Sequence, residues 1–328
     1  MKRGLTSVAV VAGLAFISSA ALAQSRTDPQ NYPSRPVRII LPNTPGSAVD
    51  GVARMIAQRL TEAWGQQMVV DNRAGASGII GHEIAAKAPA DGYTLLVTTS
   101  AGLVITPLLN KLPYDTYRDF APITLIVVSP QMLVSNPSVP ATNVNELVAL
   151  ARAKPGQLNC ASPGTGTSNH LGCEMLKIMG KVDFLHVPYK GTAPAITDVV
   201  GGQVQFMFNS MPAVWPLAQA GKLRALAHGG TKRSSAAPNV PTLAESIPGF
   251  QCITWYGLVA PRNTPPAIVA RVNAAMVKLL ADPPFAQRLI AQGQEPQSTT
   301  PAELTVFMRA ETERWSQVIK AAGLAKAQ

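Results

Sequence analysis

Apolar and polar positions follow two rhythms along the chain, one typical of strands and one typical of helices. Short apolar runs bounded by turn residues predict strands at 37–42, 68–72, 94–100, 158–162, 184–189, 204–210 and 223–227. Apolar residues three and four positions apart predict helices at 47–64, 78–88, 143–153, 167–179, 194–200, 211–220, 265–281, 283–292 and 301–322. This alternation predicts an α/β fold whose mostly parallel sheets are covered by helices.

Two longer extended segments interrupt the alternation, at 121–136 and 251–260. Pro122 and Pro130 lie inside the first segment, and proline excludes a helix there. The simplest topology is two α/β lobes joined by these two crossings. We therefore predict that residues 33–131 and 252–328 form lobe 1 and that residues 132–251 form lobe 2.

Two helix starts carry capping signals. Ser47 precedes the first helix with Asp50 three residues on, which predicts an N-cap and a capping box. Thr300 precedes the last helix with Glu303 three residues on, and Pro301 stands at the first helical position.

The N-terminus predicts a secretory signal peptide at residues 1–23. Lys2 and Arg3 precede an apolar stretch at 5–22, and Ala21-Leu22-Ala23 fits a cleavage site after Ala23. No later window has about 20 uninterrupted apolar residues, so we expect a soluble periplasmic protein with no stable membrane insertion. After cleavage, 26 basic and 18 acidic side chains remain, and a net charge of +8 favours anionic partners.

Composition excludes several classes of protein. Hydrophobic residues make up 47% and charged residues 14%, which excludes a disordered protein or a coiled coil. Aromatic residues make up only 5%, and there is no run of Lys or Arg, so we expect no nucleic-acid partner.

Three cysteines, Cys160, Cys173 and Cys252, are an odd number for an exported protein. Cys160 and Cys173 can pair only if the strand end lies over the following helix. Free buried cysteine is common, so we expect unpaired thiols. There is no CxxC motif and no cluster of His and Cys, so we expect neither a metal site nor a cofactor.

Two strand–helix junctions are rich in glycine and hydroxyl groups, at 43–47 and 162–168. In α/β sheets, ligands bind beyond the carboxyl ends of strands, where helices begin. Glycine admits a ligand close to the backbone, and the free N–H groups of the first helical turn favour a carboxylate or phosphate. One such loop in each lobe predicts an anion held from both sides.

An alternative class of function is an exported α/β hydrolase. Ser162 and His170 are close in sequence, and Asp198 could orient the histidine. There is, however, no G-x-S-x-G elbow. A dinucleotide site is disfavoured, because Asn169 replaces the third glycine of the G-x-G-x-x-G pattern that begins at Gly164.

Several short motifs, taken in order, give the chain a resemblance to a known family. They are YPSRPVR at 32–38, ADGYTL at 90–95, DFAP at 119–122, HVPYKG at 186–191 and WYG at 255–257. With them the sequence resembles the Bordetella uptake gene (Bug) family, periplasmic solute-binding receptors of tripartite tricarboxylate transporters. The resemblance implies a periplasmic-binding-protein fold of two lobes that closes on a small carboxylate. It also implies a monomeric receptor that is not an enzyme and delivers its ligand to membrane transporter subunits.

Ligand-binding positions carry over from the resemblance residue by residue. The implied set is Pro45, Gly46, Ser47 and Asp50 in the first loop, Ser162, Gly164, Thr165 and Gly166 in the second, and Ser100, Ala193 and Asn209 at other junctions. The sequence departs from the family pattern at Asn43, where an aromatic is usual, at Ser47, where a glycine is usual, and at Asn209, where an acid is common. The loss of the acid makes an amino-acid ligand less expected, and the loss of the aromatic changes the expected ligand size.

Overall fold

The computed structural model describes residues 29–324, so the signal-peptide prediction lies outside the described residues. The described chain alternates strands and helices in the predicted order. The strands are β1 Val37–Leu41, β2 Met68–Asn72, β3 Thr94–Thr99, β4 Phe120–Ser135, β5 Asn159–Ser162, β6 Leu185–Pro188, β7 Phe206–Ser210, β8 Arg224–His228, β9 Ile253–Pro261 and β10 Glu295–Pro296. The helices are α1 Ala48–Trp64, α2 Ile79–Ala86, α3 Thr106–Leu109, α4 Val144–Ala153, α5 Ser168–Gly180, α6 Thr192–Val200, α7 Met211–Gln219, α8 Pro266–Leu280, α9 Pro283–Ile290 and α10 Pro301–Ala321.

Every strand and helix predicted from the sequence is present, with boundaries that agree to within two residues. The apolar segment 101–109 was not predicted to be helical, yet it forms a π-helical turn, Ala101–Ile105, that continues into α3. Thr300 and Glu303 form the predicted capping box of α10. Among the described residues, no helix combines the length and the apolar character that crossing a membrane requires.

The sheet changes partners in the middle of β4. Its first part pairs with β9, from Phe120 opposite Pro261 to Pro130 opposite Ile253. Its last part pairs with β7, beginning with Gln131 opposite Ser210, and with β8. The strand order is β2-β1-β3-β9-β4-β7-β5-β6, so the long strands β9 and β4 lie between two groups of parallel strands.

Buried apolar side chains form three groups in the described part of the chain. One lies around β1, α1 and α8, and another around β7, α6 and α7. The largest group lies beneath β4 and β9 and includes Trp255 and Trp315, both fully buried. Trp255 donates from Nε1 to Oε2 of Glu311 at 3.2 Å, so Trp255 belongs to the core under the sheet.

The expectation of unpaired cysteines is wrong for two of the three. Cys160 on β5 and Cys173 on α5 form a disulfide, and Cys252 is free and buried. The helix lies over the strand and brings the two Cα atoms to 6.4 Å, within the range that a disulfide spans. The bond therefore closes a ring around the whole second glycine-rich loop.

Candidate functional site

The carboxyl ends of strands from both groups meet at the middle of β4. β3 runs parallel to β4 and ends with Thr99 opposite Tyr256 of β9, and Tyr256 pairs with Val127 of β4. β7 runs in the opposite direction and ends with Ser210 opposite Gln131. β1 is parallel to β3 and β5 is parallel to β7. The loops that follow these four strands therefore border one seam, which is the position where α/β sheets bind ligands.

Asp50 shapes the first loop, residues 43–47, from beneath. Its Oδ2 accepts from the Gly46 N–H at 2.9 Å and from Nε of Arg54 at 3.0 Å, and its Oδ1 accepts from Nδ2 of Asn72 at 2.9 Å. Burial opposes ionisation of Asp50, but the hydrogen bonds from Arg54, Asn72 and Gly46 outweigh it and lower its pKa. Asp50 thus lies 3% exposed as a paired carboxylate that fixes the turn.

The predicted capping box at Ser47 is wrong, because the Asp50 carboxylate accepts from Gly46 and the Ser47 N–H donates to the carbonyl of Thr44 at 3.3 Å. The Ser47 side chain does not cap α1. Pro45 and Gly46 are exposed. The first turn of α1 leaves backbone N–H groups without intrahelical partners beside them.

The second loop, residues 162–168, is folded around its own hydroxyl groups. Ser162 is fully buried, and its Oγ accepts from the Gly164 N–H at 3.2 Å and lies 2.7 Å from Nε2 of His186. Thr167 Oγ1 donates to the Gly164 carbonyl at 2.8 Å and accepts from the first turn of α5. Gly164 and Gly166 are partly exposed and Thr165 is exposed, so the backbone of the loop faces outward while Ser162 supports it.

The arrangement expected for a hydrolase is not formed. The imidazole beside the Ser162 hydroxyl is that of His186, whereas Nδ1 of His170 accepts from the Gly166 N–H at 3.0 Å. The Asp198 carboxylate accepts from the Tyr189 hydroxyl at 2.6 Å. The three predicted side chains therefore serve three separate local contacts.

Three of the predicted ligand-binding residues carry buried polar atoms with no partner in the described chain. These atoms are Oγ of Ser47, Oγ of Ser100 and Nδ2 of Asn209. Ser100 is fully buried and Asn209 is 2% exposed. Nearly all buried polar groups in proteins are paired, so these three atoms, which follow the ends of β1, β3 and β7, are candidates for contact with a bound group. Ala193 is exposed in the first turn of α6.

Contacts join the two groups of strands on either side of this seam. Asn169 of α5 donates to Oε1 of Gln131 at 2.9 Å, and the Ser168 hydroxyl lies 3.2 Å from that of Thr254. A Cβ built on Gly166 would come within 2.9 Å of Leu109 at the end of α3. The second loop therefore packs directly against the segment that follows β3.

Sequence reasoning missed several residues that hold the site. Gln131 is a polar residue within an apolar strand and carried a usable signal, as did Arg54, four residues after Asp50. Asn72 and His186 carried none, because their partners are 22 and 24 residues away.

The chemistry of the predicted site is that of neutral donors. Among the eleven candidate residues there is no Lys or Arg, and the single acid, Asp50, is paired with Arg54. Across residues 29–324, no three His, Cys, Asp or Glu side chains are grouped so as to hold a metal ion. Backbone N–H groups, hydroxyls and one amide are suited to a carboxylate.

Comparisons with known proteins point to one family. Residues 52–324 match the family model described as "Tripartite tricarboxylate transporter family receptor". Protein BugT of Bordetella pertussis is 35% identical over 322 residues, which cover 97% of this chain and 98% of BugT. Among solved structures, R. palustris Rpa4515 with adipate is 37% identical with a TM-score of 0.80, covering 90% of this chain and 99% of that one. MatC from Rhodopseudomonas palustris with bound malate is 32% identical with a TM-score of 0.75, covering 88% and 100%. The predicted two-lobed α/β fold class is confirmed by these matches.

Proposed function

The chain belongs to the tripartite tricarboxylate transporter receptor family, and from this premise we propose that it captures a small organic carboxylate in the seam between its two lobes. The observation that carries the proposal is the set of polar atoms on Ser47, Ser100 and Asn209 that follow the ends of three strands and have no partner among residues 29–324. Two relatives of the same fold were solved with the dicarboxylates adipate and malate. The neutral lining favours hydrogen bonding to a carboxylate by amides and hydroxyls.

The ligand class is tested by thermal unfolding of the protein without residues 1–23. The ligands are adipate, malate, citrate, an aromatic acid and glutamate, with a neutral sugar as control. A ligand at about 100 times its dissociation constant stabilises the folded state by about 2.7 kcal/mol. We expect at least one acid to raise the melting temperature. A shift with the sugar and with no acid contradicts the proposed ligand class.

The position of the site is tested with two matched serines. Ser100 and Ser135 are both fully buried, and neither Oγ has a partner in the part of the chain that the structure describes, but Ser135 pairs with Phe206 at the other end of β7. We expect Ser100→Ala to weaken binding of the selected carboxylate about fivefold, because one neutral hydrogen bond is lost. Ser135→Ala should leave the dissociation constant unchanged. If the two variants change the dissociation constant equally, the ligand does not bind at Ser100.

Asn209 defines the expected charge of the ligand. The family resemblance makes an acid common at this position, whereas Asn209 carries an Nδ2 with no partner among residues 29–324, at the end of β7. We expect Asn209→Asp to weaken dicarboxylate binding at least tenfold through like-charge repulsion. If Asn209→Asp binds dicarboxylates with unchanged affinity, Asn209 does not contact the ligand.

We propose further that binding occurs without turnover. Ser162, the nucleophile of the hydrolase alternative, is fully buried and its hydroxyl supports the second loop. The protein should therefore release no alcohol or acid from ester substrates. Ester hydrolysis that Ser162→Ala abolishes would support the hydrolase instead.

The proposed receptor is periplasmic and monomeric, and it delivers its ligand to membrane transporter subunits after the signal peptide is cleaved. Its lobes are proposed to be 33–131 with 252–328, and 132–251. The change of partner along β4 between Pro130 and Gln131 supports the boundary in the first crossing. Binding by such a protein proceeds through hinge closure of the lobes.

A further inference from the structure

Two histidine rings are stacked beneath the second loop. His170 lies in the first turn of α5 and His186 lies on β6, and their ring centroids are 3.9 Å apart with an interplanar angle of 25°. His170 is 3% exposed and His186 is partly buried. The pair is not explained by packing alone, because each ring also bonds to the segment that shapes the loop.

The bond to His170 fixes its protonation state. The Gly166 N–H donates to Nδ1 at 3.0 Å, and a backbone amide can only donate. Nδ1 must therefore be unprotonated, which leaves the proton of the neutral ring on Nε2. Nε2 faces Oε1 of Glu174 at 3.7 Å.

His186 is connected to the second loop through the hydroxyl of Ser162. Nε2 of His186 lies 2.7 Å from the Ser162 hydroxyl, and that hydroxyl accepts from the Gly164 N–H. One ring is therefore linked to Gly166 and the other, through Ser162, to Gly164. The two rings are therefore connected, one directly and one through Ser162, to both glycines whose backbone is proposed to face the ligand.

We propose that His170 and His186 are positioning residues and that the second loop keeps its carboxylate-binding shape only while Nδ1 of His170 is unprotonated. The inference rests on the proposed function of this loop. If Nδ1 of His170 is protonated, it becomes a donor that faces the Gly166 N–H, which is also a donor, so the hydrogen bond between them is lost. A proton on each ring places two positive charges in one stack. In either case the loop changes shape and carboxylate affinity falls.

The charged groups around the pair come from α5. Glu174 accepts from Lys177 at 3.1 Å, so part of its attraction for a proton on His170 is offset. Burial lowers the pKa of His186 to about 4, and the positive charges of His170 and Lys177 act in the same direction against the opposing effect of Glu174. The surroundings of the pair therefore favour a neutral His186 ring at neutral pH.

The first test needs no ligand. The protein without residues 1–23 is labelled with 15N-glycine, and the amide resonances are followed by NMR from pH 7.5 to 5. We expect the Gly166 resonance to move with pH in the wild type and to stay fixed in His170→Asn, whose side-chain oxygen replaces Nδ1 as a non-titrating acceptor. The Gly46 resonance is the internal control, because its partner Asp50 stays ionised in this range.

The second test measures affinity for adipate and for malate by calorimetry at pH 7.5 and 5.5. At pH 7.5 we expect His170→Asn and His186→Gln to bind as the wild type does, and His170→Leu to bind about tenfold more weakly. Between the two pH values the wild type should lose about tenfold more affinity than His170→Asn. Ionisation of the ligand itself is common to all variants and cancels in this comparison.

The outcomes separate this inference from the proposed function. A Gly166 resonance that does not move, together with equal pH dependence of binding in wild type and His170→Asn, overturns the role of the histidines. A moving Gly166 resonance in a protein that binds no carboxylate overturns the proposed function and leaves the histidine control of the loop supported. If His170→Leu does not fold, the comparison with His170→Asn decides alone.

Discussion

The two loops at the seam are built from similar residues but are held by different chemistry. An ionised carboxylate, Asp50, fixes the first loop through the Gly46 N–H, and Arg54 and Asn72 complete its partners. Two histidine rings hold the second loop, His170 through the Gly166 N–H and His186 through Ser162. Two glycine-rich loops of one protein can therefore be held by side chains of different chemistry, a carboxylate in the first loop and imidazoles in the second.

The loops also differ in how the chain closes around them. The disulfide between Cys160 and Cys173 encloses the second loop, whereas the first loop is tied to its neighbours by hydrogen bonds from Asn72 to Asp50 and to the Asn43 carbonyl. Once the disulfide has formed, it restricts the second loop even in the unfolded chain, whereas the contacts of the first loop require β2 to pair with β1.

The largest expected effect comes from opening the ring around the second loop. Replacing Cys160 and Cys173 together by alanine should lower the free energy of unfolding by about 3 kcal/mol, because a ring of this size restricts the unfolded chain. Urea unfolding of the oxidised protein measures the loss. Cys252→Ala is the control, since it removes a buried free thiol at a cost of about 1 kcal/mol. Equal losses in the two proteins would show that the disulfide contributes only its packing.

The matching change in the first loop is Asp50→Ala. It leaves the Gly46 N–H and the Asn72 amide without their buried acceptor, and we expect a loss of about 2 kcal/mol in the free energy of unfolding. The control is Arg54→Ala, which removes a side chain that is 53% exposed and should cost less than about 1 kcal/mol. If Arg54→Ala costs as much as Asp50→Ala, the ion pair rather than the loop contact is what stabilises this region.

Sequence patterns predicted the loops but not the groups that hold them. The strand–helix junctions at 43–47 and 162–168 follow from local periodicity and glycine content. Asn72, which bonds to Asp50, and His186, which contacts Ser162, lie on neighbouring strands, so these two contacts depend on strand order, which local periodicity does not encode. The disulfide was not predicted because it requires α5 to lie over β5, which local periodicity does not encode either. The helical segment 101–109 was missed because an apolar run without caps has no boundary signal.

Lowering the pH should affect the buried histidines at a higher pH than it affects Asp50 in the first loop. Burial lowers the pKa of His82, beneath β3, to about 4, and the pKa of His186 is lowered to about 4 as well. A histidine whose pKa is depressed on folding contributes stability that is complete above pH 6.5 and is lost as the pH falls toward 4. The depressed pKa of Asp50 instead protects the first loop until the pH falls below 3.8.

We therefore expect the free energy of unfolding to fall between pH 7.5 and 5.5 by about 1 kcal/mol from His82, with a smaller contribution from His186, which is less buried. Urea unfolding at the two pH values checks this in the wild type, in His82→Asn and in His186→Gln. Each variant should show a weaker pH dependence than the wild type. A wild-type stability that is constant over this range would contradict the burial of neutral histidines.

The smallest effect comes from a matched pair of glycines. Gly46 and Gly166 both have a φ of +78°, but a Cβ on Gly46 meets nothing within 4 Å, whereas one on Gly166 meets Leu109 at 2.9 Å. Each alanine substitution should cost about 1 kcal/mol for the left-handed backbone. Only Gly166→Ala should couple to Leu109→Ala, by about 0.5 kcal/mol in a double-mutant cycle, because the smaller side chain relieves the contact. Equal coupling of Leu109→Ala to both glycines would mean that the second loop does not rest on the segment after β3.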